Sequence, residues 1–150
     1  MLKGAEMENK LQKKLYKRFK FLNINSVDEK YPYPMFGIEV GDGWYNLLYK
    51  LFEKIEKEID MGESFGGFTQ IKEKFGLLRI YCLASDKIYN LIDKYENKSA
   101  YICEICGKRG KLRNPCGWYF TACEKHFDEY CINHLGRKLN FFEKLKQEKF

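Results

Sequence analysis

Two short motifs constrain this chain more than anything else in it: Cys103-Glu104-Ile105-Cys106 and Cys123-Glu124-Lys125-His126. Two thiolates three positions apart can hold one cation from a tight knuckle, whose backbone amides soften the charge on sulfur. Gly107 lets the chain reverse directly after the second cysteine. Asn114, Pro115 and Gly117 mark the tip of a hairpin, and Trp118 to Thr121 suit its returning strand. Cys123 and His126 then fall at i,i+3 at the start of a helix, so both side chains share one face. Knuckle, hairpin and helix-borne pair is the layout of a treble-clef site. Four ligands leave no open position, so the spacing predicts one structural Zn2+ on Cys103, Cys106, Cys123 and His126.

A second CxxH pair, Cys131-Ile132-Asn133-His134, competes for the later half of the site. The earlier pair is preferred because the hairpin delivers it directly, whereas the later one needs an intervening helix to double back. Cys116 and Cys82 read as spectators. Haem attachment is excluded by Gly107, where that motif needs histidine. A redox CxxC would need a strand-then-helix frame that is missing here. The opening residues MLKGAEMENK are polar and carry no secretory pattern, which places the chain in a reducing cytoplasm and favours metal ligation over disulfides.

Upstream of the cysteines, hydrophobic periodicity gives an α+β fold. Leu11, Leu15, Phe19 and Leu22 predict a basic amphipathic helix over residues 8–22, stopped by Tyr31-Pro32-Tyr33-Pro34 as an extended connector. Phe36 to Val40 reads as a short strand, Gly41-Asp42-Gly43 as a turn, and Asp42 as the N-cap of the next helix. That helix carries Trp44, Leu47, Leu48, Leu51, Phe52, Ile55 and Ile59 in one apolar stripe. Phe68 to Lys74 and Leu77 to Leu83 predict a hairpin that turns at Phe75-Gly76. Ser85 or Asp86 caps a further helix bearing Ile88, Ile92 and Tyr95. The expected architecture is a small antiparallel sheet covered by helices, with the treble-clef-like module appended. Three parts are expected: a basic helical arm (1–30), an α+β domain (31–100) and a zinc module with C-terminal helices (101–150).

Several of these residues also carry a resemblance. Gly41-Asp42-Gly43-Trp44, then Gln70-Ile71-Lys72-Glu73-Lys74-Phe75-Gly76 with Leu78-Arg79-Ile80-Tyr81, then the two metal-binding pairs, resemble a group of small, mostly uncharacterised bacterial and phage proteins. The likeness covers about Phe36 to His126. It implies a zinc-binding fold and a mobile-element or prophage origin, and no activity. Gln70, Lys72, Lys74 and Arg79 read either as a polar binding surface on one face of the hairpin or as an ordinary solvated face.

The charge of +6 is unevenly spread. Residues 1–30 hold eight basic against four acidic groups and residues 101–126 hold five against two, while residues 31–100 are slightly acidic. This asymmetry suits a polyanionic partner. Lys108, Arg109, Lys111 and Arg113 crowd the expected hairpin beside Trp118, Tyr119 and Phe120, so cations can meet phosphates while aromatic faces stack on unpaired bases. The leading expectation is a non-enzymatic, zinc-stabilised protein that contacts nucleic acid or a complex that handles it. The alternative is a phage or prophage protein that blocks a host complex by protein contact. A treble-clef nuclease is the third reading, faintly supported by Asn133-His134. Against catalysis, the sequence has no phosphate-binding loop and no nucleophile–base constellation.

Overall fold

A computed structural model describes residues 6–23 and 37–147. The Tyr31–Pro34 connector lies outside the described residues. The element order is helix α1 (Asn9–Arg18), strand β1 (Ile38–Glu39), helix α2 (Tyr45–Asp60), strands β2 (Phe65–Lys74) and β3 (Leu77–Ala84), and helix α3 (Asp86–Ser99). Strands β4 (Lys111–Arg113) and β5 (Phe120–Ala122) follow, then helices α4 (Glu124–Leu135) and α5 (Phe141–Gln147). The mixed α+β class expected from the pattern is the one observed.

Helix α1 ends earlier than its stripe implies. Phe19 leaves the helical region (φ −113°, ψ 92°), and Lys20–Asn23 rewinds as a 3-10 turn. In an unbroken helix Phe19 and Phe21 would point to different faces. The break sends both inward: Phe19 meets Phe52 edge-on with centroids 5.6 Å apart, and Phe21 meets Phe65 at 5.5 Å. Met7 donates its amide to Ile38 O, and Gln12 Oε1 accepts from the Ile38 amide, both at 3.0 Å. The expected arm is therefore stitched to β1, and its apolar face belongs to the first core.

That core gathers Leu48, Leu51, Phe52 and Ile55 of α2, Ile71, Leu78 and Ile80 of the sheet, and Ile88, Ile92 and Tyr95 of α3. The sheet runs β1-β2-β3, with an antiparallel β2–β3 hairpin and β1 added in parallel, Ile38 opposite Ile71. Lys72 stands across from Arg79 and Gln70 across from Tyr81, so the four polar residues named above do share one outer face. Helix α3, capped by Ser85, seals the outer edge of β3. Ser99 Oγ accepts from Leu78 N, Glu96 Oε1 from Ile80 N and the Tyr89 hydroxyl from Ala84 N. The amides of Leu78, Ile80 and Ala84 are thus satisfied by side chains, which blunts this edge against another strand. A second core of Phe120, Ala122, Phe127, Tyr130, Cys131 and Leu139 lies under the cysteine motifs, with Cys103 as part of it. Among the described residues no helix is long and apolar enough to cross a membrane.

Candidate metal centre

Cys103, Cys106, Cys123 and His126 converge, with ligand atoms all within 4.8 Å of one another. Cys106 and Cys123 sulfurs are 3.7 Å apart, and His126 Nδ1 lies 3.6 Å from Cys103 Sγ and 3.2 Å from Cys123 Sγ. Tetrahedral bonds of about 2.3 Å to sulfur imply sulfur–sulfur separations of about 3.8 Å. The spacing therefore fits one ion at the centre of the four. His126 Nε2 lies 4.0 Å from Glu129, a carboxylate placed to orient the ring.

Each ligand is delivered by backbone features the sequence encodes. Gly107 turns back at φ +77° and donates to Cys103 O, closing the knuckle. Cys103 N donates to Lys108 O, and Gly110 N to Tyr101 O, which ties the knuckle to the strand that follows. Strands β4 and β5 pair with Leu112 opposite Thr121. Cys123 occupies the N-cap position of α4, which places its sulfur beside His126 on the first turn of the helix. Burial pushes the Cys103 thiol up, opposed by the amides of Cys123, Cys106 and Ile105. At Cys106 burial acts the same way, but the Lys108 amide and the neighbouring thiols outweigh it and hold that thiol below its ordinary value. The competing pair is elsewhere engaged: Cys131 is fully buried in the second core, and His134 stacks on Tyr130 and bonds its carbonyl through Nδ1. Cys116 Sγ lies 3.3 Å from the Tyr130 hydroxyl.

The Gly41-Asp42-Gly43-Trp44 motif turns out to be the seat of the knuckle. Gly43 N donates to Glu104 O at 2.7 Å, Gly41 N to Glu104 Oε1 at 2.9 Å, and Trp44 Nε1 to Ile102 O at 2.8 Å. A Cβ on Gly43 would fall 2.6 Å from Glu104 O and collide with Cys103 O, so only glycine admits this approach. The expected capping role of Asp42 is not realised, because Asp42–Trp44 forms a 3-10 turn. Its Oδ1 instead accepts from the Glu8 amide at 2.9 Å. Burial raises the Glu104 carboxyl to about 7, with the Gly41 amide pulling the other way. On the opposite side, Thr121 Oγ1 donates to Gly76 O at 2.7 Å, which seats the β2–β3 turn on β5. In the sequence alone, Gly41-Asp42-Gly43 and Phe75-Gly76 both read as turns. Their offer of bare backbone to another segment is invisible without that segment's position.

The residues proposed to contact nucleic acid divide. Lys108, Arg109 and Lys111 are exposed, and Trp118 is half-exposed at the hairpin tip. Arg113 departs from expectation: it is 4% exposed, lies 4.2 Å over the Phe127 ring and bonds Glu124 at 2.8 Å. Its place on β4 points it into the second core, where the ring and carboxylate compensate the buried charge. Hydrogen bonds from Arg113 and then Lys144 hold the Glu124 carboxyl down at about 2. A depressed folded value means this pairing stabilises above the unfolded value near 4.5 and fades as pH falls toward 2.

A groove of about 400 Å³ runs beside the knuckle, lined by Tyr101, Arg109, Lys111, Arg113, Lys144 and Gln147 with Ala100, Gly110 and Leu112. Among the described residues its lining contains four cations and no carboxylate. Comparison with protein-family models, curated proteins and solved structures finds no match for this chain.

Proposed function

We propose that the chain is a metal-stabilised binding protein, with Zn2+ in the Cys103–Cys106–Cys123–His126 site and nucleic acid as its partner. Three thiolates and an imidazole are the donor set that suits zinc, and a filled tetrahedron gives the ion a structural role. The observation that carries the partner reading is the groove. Arg109 and Lys111 line it from exposed positions, and Arg113 and Lys144 add two more cations to the same wall, with Glu124 behind them. Tyr101 stands two-thirds exposed at the same groove, where its ring is available to a base or sugar. Lys108 extends the positive surface along the knuckle.

Binding through phosphate contacts weakens steeply with salt, each neutralised phosphate adding about 0.7–0.9 to the slope of log K against log salt. Arg109→Glu/Lys111→Glu is expected to weaken oligonucleotide binding at low salt by at least tenfold and to flatten that slope, with the melting temperature unchanged. No binding of the native chain to DNA or RNA at low salt would remove this reading. A protein target is the alternative that the exposed Phe141, Phe142 and Leu145 of α5 favour. A partner that survives nuclease treatment in a pull-down supports it, as would the phage or prophage origin implied by the sequence resemblance.

A further inference from the structure

Phe75 is the one described non-glycine residue with positive φ, at +51°. It shares the two-residue β2–β3 turn with Gly76 at φ +80°. Turns of this kind take asparagine or aspartate without strain at the first position, whereas a bulky side chain there is an outlier. Yet the phenylalanine ring gains no burial in return, since it is 69% exposed. A strained backbone holding a large apolar group in water is an observation that points to use of the ring.

The ring has company. Phe75 lines a cleft of about 360 Å³ together with Trp118, Tyr119, Gly117, Lys74 and Glu73. Trp118 is 47% exposed on the β4–β5 tip, so two aromatic side chains from different hairpins present themselves to one space. Thr121 and Gly76 lock those hairpins together. The polar lining holds one carboxylate and one ammonium. Glu73 Oε1 is held by the Gly76 amide at the turn, whereas Lys74 Nζ lies 5.8 Å over the Phe75 ring, so the charge beside that ring is the ammonium. A flat, uncharged ring attached to an anion meets two aromatic faces and a cation.

We infer that this cleft receives an unstacked base of a single-stranded nucleic acid, with Phe75 and Trp118 as its stacking platform and Lys74 on the adjoining phosphate. The inference rests on the nucleic-acid reading above and narrows it to single strands. Leu112 connects the two features: it lines the groove, and its Cδ1 would sit 2.6 Å from a Cβ on Gly76, the neighbour of Phe75.

The test is anisotropy titration of dye-labelled oligothymidylate and of a labelled mixed-sequence duplex at low salt, with tryptophan quenching recorded alongside for the native chain and Phe75→Asn. Trp44 is fully buried, so quenching by a bound base reports Trp118. Base–aromatic stacking corresponds to roughly 5- to 150-fold in affinity per base. Phe75→Asn and Trp118→Ala are each expected to weaken oligothymidylate binding within that range and to leave duplex binding within about twofold. Asparagine accepts the left-handed region, so Phe75→Asn is expected to melt no lower than the native chain, which separates lost binding from lost folding. Quenching of Trp118 by oligothymidylate that disappears in Phe75→Asn supports the cleft. Oligothymidylate binding unaffected by both substitutions overturns the cleft and leaves the charged groove standing. Absence of any binding by the native chain overturns both.

Discussion

Cys123→Ser is expected to release the metal and unfold the knuckle, the β4–β5 hairpin and α4, while α2 and α3 stay folded. Apparent binding energies of structural zinc in small modules reach about 10–16 kcal/mol at neutral pH, and that energy is folding energy for the segment it closes. The second core is small, with six buried apolar side chains besides Cys103, and is covered by short elements. It is poorly placed to order residues 101–135 without the ion. The first core has its own apolar cluster from α1 through α3 and does not pass through the ligands. Hydrogen exchange should therefore show rapid exchange at Gly107 and Gly110 amides, with Leu51, Phe52 and Ile92 still protected. Full metal retention in Cys123→Ser, with loss in Cys131→Ser, would move the site to Cys131 and His134.

The second large effect is expected at a residue that holds no metal. Gly43→Ala places a methyl group against the carbonyls of Cys103 and Glu104, both backbone and both fixed by the knuckle. Flexible side chains could yield to such a group; these atoms cannot move without shifting a ligand. Overpacking of this kind costs about 1–3 kcal/mol and occasionally more. The loss of the Gly43–Glu104 hydrogen bond adds about 0.5–1.5 kcal/mol. Gly62→Ala is the contrasting substitution: its φ is +98° but its surroundings are open, so only backbone strain of about 1–2 kcal/mol applies. Chemical denaturation should rank Gly43→Ala well below Gly62→Ala, and a chelator competition should show weaker metal retention in Gly43→Ala alone. Equal destabilisation and unchanged metal affinity would mean that the Gly41–Trp44 motif does not support the knuckle.

Much of this organisation is legible in the sequence because it is local. The α2 stripe, the Phe75-Gly76 turn, the Ser85 cap and the helix-borne Cys123/His126 pair each follow from spacing within a few residues. What escaped local reading depends on segments distant in the chain. The parallel seat of β1 on β2 brings Ile38 to Ile71, a pairing that no alternation pattern specifies. Arg113 looks like its basic neighbours in sequence, and its burial is decided by Glu124 and Phe127, which only the hairpin brings beside it. Phe19 breaks a helix that propensity would continue, because two phenylalanines two positions apart both find space in one core. Gly41 and Gly43 needed the position of Glu104 before their lack of side chains had a meaning beyond the turn.

The central claim is that three sulfurs and one imidazole nitrogen enclose a single Zn2+. X-ray absorption at the zinc edge on the metal-loaded chain tests it most directly. The expected first shell is three sulfurs at about 2.3 Å and one nitrogen at about 2.0–2.1 Å, with one equivalent of zinc per chain. A first shell of oxygen and nitrogen only, or protein that holds no stoichiometric metal while fully folded, would contradict it.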